Sequence, residues 1–101
     1  MKTPDDWKTE LENVLASVQN KAEAKQMLAS LFTPAEYDEL ARRWQIIKLL
    51  QEGWTHRDVS KLVKVSIATV SRGARELKYG NGILHKLYQR ISPRQRGAKT
   101  A

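Results

Sequence analysis

The stretch THRDVSKLVKVSIATVSRGARELK, residues 55–78, gathers six cations and a set of short hydroxyls within a few helical turns. Guanidinium and ammonium groups neutralise phosphates, and short hydroxyls and small apolar tips suit the edges of bases. Ile67, Ala68 and Thr69 open a helix and are expected to approach base edges, with Ile67 or Ala68 meeting a thymine methyl. Ser66 and Ser71 belong to the same outward set. Arg57, Lys61, Lys64, Arg75 and Lys78 are candidates for phosphate contacts, which position without specifying sequence. Arg72 is expected either to read a guanine or to hold a ligand.

The elements that must position these groups are two short helices joined by a tight turn. Thr55 is placed to cap the first, with Asp58 as its capping-box partner. Val59, Leu62 and Val63 then fall on one face. Ser60 is small, as a close helix crossing requires. Ser66 is placed to cap the second helix. There Val70, Ala74 and Leu77 make an inward stripe, leaving Ile67, Ala68, Thr69, Ser71, Arg72 and Arg75 outward. This is the pattern of a helix-turn-helix over residues 55–77, whose second helix enters a major groove. The plain alternative is a helical hairpin with a solvated face. Lys64 stands at the turn position often taken by glycine, at a cost of about 1 kcal/mol if its backbone is left-handed.

Charge supports the first reading. Residues 1–53 carry 7 Lys/Arg and 9 Asp/Glu, a net of −2; residues 54–101 carry 11 and 2, a net of +9. A polyanion is drawn to the second half, releasing counterions as it binds. A membrane-surface helix fits less well, because the cations flank small polar residues and not a broad apolar face.

The remaining pattern is all-α. Thr3-Pro4 and Thr33-Pro34 are cap-then-proline signals, and Glu36 completes a capping box with Thr33. A first helix carries Trp7, Leu11, Val14, Leu15 and Val18. A second runs from near Lys21 to Phe32. The third, from Pro34 to Gly53, is apolar around much of its circumference, more than a small domain covers easily. A homodimer would bury the excess and present two reading helices to a two-fold site. Tyr79-Gly80-Asn81-Gly82 reads as a loop, followed by a last helix over about Ile83–Ile91. The expectation is a single six-helix domain over 1–91 and a basic flexible tail over 92–101, where Arg94, Arg96 and Lys99 add nonspecific attraction.

Several chemistries are disfavoured. The 101 residues contain no cysteine, which removes disulfides, thiol catalysis and cysteine-based zinc sites. His56 and His85 stand alone, and no metal-spaced cluster or phosphate-binding glycine loop is present, so enzymatic activity is not expected. Trp7, Trp44 and Trp54 read as core or dimer-contact residues. No apolar run approaches the roughly 18 residues of a membrane span, and MKTPDDW lacks an apolar signal core. The expected location is cytoplasmic.

The segment from Leu31 to Lys78 resembles the bacterial Trp repressor family, with likeness over about residues 28–80. The residues that carry it are Leu31-Phe32-Thr33-Pro34, Ala41-Arg42-Arg43 and IATVSRG at 67–73. The resemblance implies an intertwined, all-helical homodimer that represses transcription from double-stranded DNA. It also implies a possible corepressor, L-tryptophan, whose indole ring the family holds between two arginines. Arg43 and Arg72 match those arginines, Thr33 and Thr69 match pocket threonines, and Gly73 matches a glycine that leaves room for the ring. Glu76 replaces a pocket serine. It is placed either to pair with a ligand ammonium or to pair with Arg72 or Arg43 and close the pocket. The chain is one residue shorter than the repressor between Gly53 and Thr55, and LKYGNG at 77–82 is closer to a branch of Trp-repressor-like proteins than to the repressor itself. Three functions are therefore carried forward: a DNA-binding regulator, a small-molecule sensor that answers L-tryptophan, and a helical protein-interaction adaptor.

Overall fold

The computed structural model describes residues 3–100, with side chains described for residues 3–91. It contains six α-helices and, among the described residues, no strand: α1 (Pro4–Ala16), α2 (Lys21–Leu31), α3 (Pro34–Gln51), α4 (His56–Val63), α5 (Ile67–Tyr79) and α6 (Ile83–Thr100). The backbone of α6 is thus helical beyond Ile91, where the sequence reading ended the last helix; the side chains of residues 92–101 lie outside the described residues.

The helix starts follow local chemistry. Thr3 and Asp6 form a reciprocal capping box, the Thr3 N–H donating to Asp6 Oδ2 at 2.8 Å. Thr33 and Glu36 repeat it, with Thr33 N–H to Glu36 Oε1 at 2.9 Å and Glu36 N–H to Thr33 Oγ1 at 3.2 Å. Thr55 Oγ1 accepts from the Asp58 N–H at 3.1 Å, without the return bond that a full box requires. Asn20 caps α2 through the Glu23 N–H at 2.9 Å. Each cap satisfies a donor that the helix itself leaves orphaned and is worth about 1 kcal/mol.

The chain divides into two compact units, residues 1–37 and 38–101. In the first, α1 and α2 bury no residue. Trp7, Leu11, Val14 and Leu15 lie on one stripe of α1 and remain 45–60% exposed.

In the second unit Ile46 of α3, Val59 of α4 and Val70 of α5 form the core, and Leu49, Leu50, Val63 and Val65 pack against it. Val59 and Val70 are fully buried. Removing a side chain of this size from water contributes about 1.5–3 kcal/mol. The expected inward trio of α4 needs one correction: Leu62 is exposed, because the contact with α5 is narrow enough to cover only Val59 and Val63. Trp54 is also exposed, so it is not a core residue of this unit, whereas Trp44 is half-buried. In α6, Tyr88 is buried, and Ile83, Leu87 and Ile91 face outward.

Candidate nucleic-acid interface

The turn between α4 and α5 fixes the angle of the outward helix. Ser60 braces it from both ends: its Oγ–H donates to the Val65 carbonyl at 2.6 Å, and its own carbonyl accepts from Val65 N–H at 3.1 Å. The serine was legible in the sequence as a small residue at a crossing, but not as the brace of the turn. Lys64 ends α4 in the left-handed region, at φ 62° and ψ 52°, and is the one non-glycine residue with positive φ among those described. Its side chain stays exposed.

The α5 helix then begins at Ser66, whose Oγ accepts from the Thr69 N–H at 3.1 Å and lies 2.9 Å from Thr69 Oγ1. One hydroxyl proton of the pair is used between them, which leaves the other for an acceptor in front of the helix. No acid lies in the first turn of α5. Val70 faces fully inward. Ile67, Ala68, Arg72, Arg75 and Lys78 are exposed, and Thr69 and Ser71 are half-buried beside them. On α4, Arg57 and Lys61 are exposed as well. These nine residues, with Lys64 and Ser66, are thus carried by a helix pair held by a common core. Lys78 Nζ sits 5.4 Å from the centre of the Tyr79 ring, at the far end of α5.

Gly73 is the point where α5 meets α3. A Cβ at this position would stand 2.9 Å from Ile46 Cγ2 and 3.7 Å from Ile47 Cδ1, so only glycine lets the two helices approach this closely. The space beside Gly73, where the resemblance implied room for a ligand ring, is taken here by Ile46, Ile47 and Leu50.

The other residues suggested for a ligand are distributed as follows. Arg43 forms an ion pair with Glu39, one turn earlier on α3, at 2.9 Å. Both side chains are about two-thirds exposed, so the pair contributes little to stability. Thr33 caps α3 and belongs to the first unit. Glu76 pairs with neither arginine among the described residues; its carboxylate occupies the space that a side chain at Gly80 would need. The closure of a pocket by an ion pair from Glu76 to Arg72 or Arg43 is therefore not seen. No group of three or more potential metal ligands occurs among the described residues, and none of their helices is long and apolar enough to cross a membrane.

A core-anchored helix-turn-helix with a cationic and hydroxylated outer side defines a class, that of helix-turn-helix DNA-binding proteins. The Trp repressor protein family matches residues 5–92. Trp operon repressor homologs from Vibrio campbellii and Vibrio cholerae are each 36% identical over 74 residues, 72% of this chain and 73% and 71% of theirs. One from Aliivibrio salmonicida is 38% identical over 77 residues, covering 72% of this chain and 68% of its own. The chain belongs to the Trp repressor family, and its kind is that of a DNA-binding transcriptional repressor.

Proposed function

We propose that the protein represses transcription as a homodimer that reads a two-fold DNA site with the outer face of α5. The observation that carries this reading is the division of α5 itself: Val70 is fully buried, while Ile67, Ala68, Arg72 and Arg75 stand exposed. A helix so anchored presents its side chains at a fixed angle, as base readout requires. Arg57, Lys61, Lys64 and Lys78 provide phosphate contacts, and Ser66, Thr69 and Ser71 provide short hydrogen-bonding groups near the bases. The exposed stripe Trp7, Leu11, Val14 and Leu15 supplies the surface on which a second copy packs. The repressor acts in the cytoplasm.

Selection of genomic fragments by the protein, followed by competition against random duplex, tests the reading. A discrete preferred site at moderate salt is the expected result; equal affinity for all sequences overturns it. Arg72→Ala relaxes sequence preference, at a cost of about 1–3 kcal/mol. Lys61→Ala weakens all sequences alike and lowers the salt slope by about one.

A second reading adds L-tryptophan as corepressor. It is supported by the residues at Thr33, Arg43, Thr69, Arg72 and Gly73 and by relatives named for the trp operon. Glu76 would then receive the ligand ammonium. Calorimetry decides it: no heat and no thermal shift at millimolar L-tryptophan removes this effector.

A further inference from the structure

We propose that His85 is a positioning residue for DNA recognition, clasping the start of α6 to the end of α3 and so fixing the C-terminal turns of α5. The proposal rests on the DNA-reading face assigned above. His85 Nδ1 lies 2.6 Å from Gln51 Oε1 across 34 positions of sequence. The other side-chain hydrogen bonds named above join residues no more than five positions apart. Gln51 is the last residue of α3. Its carboxamide Nε2 is buried with no hydrogen-bond partner, so the amide is held by the imidazole alone.

With Oε1 as the acceptor, the proton must sit on Nδ1. Losing the imidazole would leave the whole amide unpaired next to a buried nitrogen, which is unfavourable, so the bond holds α6 at one register against α3. His85 also lines a small hollow together with Glu76 and Leu77, in the last turns of α5. A displacement of His85 is therefore felt at the end of the helix that carries Arg72, Arg75 and Lys78. The N-terminal half of α5 needs no such help, because Val70 and the Gly73–Ile46 approach already fix it.

The test compares wild type, His85→Phe, Gln51→Leu and the double variant. Each is titrated with a genomic fragment selected by the wild type and with random duplex, at equal salt and with folding checked by circular dichroism. Each single loss is expected to lower the ratio of specific to random affinity about three- to tenfold, and the double variant no further. In nitrogen-15 spectra of the ring, wild type shows the proton on Nδ1 and Gln51→Leu moves it to Nε2. Unchanged ratios, additive losses or a ring spectrum indifferent to Gln51→Leu overturn the proposal. If His85→Phe does not fold, Gln51→Leu decides: a ratio unchanged by it overturns the clasp. A wild type with no preferred fragment defeats the DNA-reading assignment instead, and the ring spectrum still reports the clasp separately.

Discussion

α1 and α5 are both 13 residues long and both start from a hydroxyl cap, Thr3 and Ser66. They put those similar frames to opposite uses. α1 carries acids in its first turn and buries nothing, with its apolar stripe left outside. α5 has no acid in its first turn, sinks Val70 completely and turns its cations outward. An amphipathic helix gains most of its stability from packing its apolar stripe. For α5 that packing lies within the chain, and its polar face is free for a polyanion. For α1 the apolar stripe is the free face, the one on which the second copy packs in the proposed dimer. The contrast matches the two roles proposed above, association for α1 and reading for α5.

Substitutions can break this contrast, and the largest effect is expected at Val70. Val70→Asp places an uncompensated charge in the core between α3, α4 and α5, at a cost of about 3–5 kcal/mol. Chemical denaturation should find the helix-turn-helix unfolded or close to it. Leu11→Asp, the matching change on α1, should leave the helix-turn-helix intact and act on association. Sedimentation should show the dimer dissociation constant rising about thirtyfold or more, the size of an interface hot spot. Unchanged association would remove α1 from the dimer contact.

Lys64→Gly sharpens the comparison on the reading side. Glycine adopts the left-handed turn without the Cβ penalty, so stability rises by about 0.5–1 kcal/mol after the added freedom of the unfolded chain is included. The same change removes an ammonium next to the start of α5. Affinity for DNA should fall equally for all sequences even as the melting temperature rises, and a parallel rise in both would exclude the phosphate role.

The smallest effect belongs to the cap of α1. The Asp6 carboxyl is held below its ordinary value of 3.8, first by the Thr3 backbone N–H and then by the Thr3 side chain. A depressed carboxyl contributes stability above its unfolded value and loses it as pH falls through the folded one. Helicity of α1, followed by amide chemical shifts, should therefore fray below pH 3.8, and Asp6→Asn should remove that step.

Much of the scaffold was legible because its determinants are local. Thr3-Pro4, Thr33-Pro34, Thr55 and Ser66 mark the helix starts, since a cap depends only on residues within one turn. The inward position of Val59 and Val70 followed from spacing alone. Leu62 did not, because spacing defines a face but not its width, and α5 covers only part of α4. Lys64 was readable as a turn residue, while its left-handed backbone is a property of the closed turn, braced by Ser60 from both ends.

The candidate site divides in the same way. Residue types and the charge of the second half pointed to α5 as the reading element, and family membership follows from the same residues. The partners of Arg43 and Glu76 were open in the sequence, because several ion pairs were compatible with helical spacing. Only the folded chain selects Glu39 for Arg43 and lays Glu76 against Gly80. His85 carries no signal in a linear reading, since its partner is 34 residues away.

The order of amino acids alone decided where helices begin, which stripe of each is oily and which half of the chain is cationic, because those properties are set within a turn or two of backbone. Three-dimensional packing decided the rest. Gly73 became the seat of Ile46, Leu62 was left at the rim, and Gln51 met His85, because these outcomes depend on how closely segments far apart in the chain approach one another.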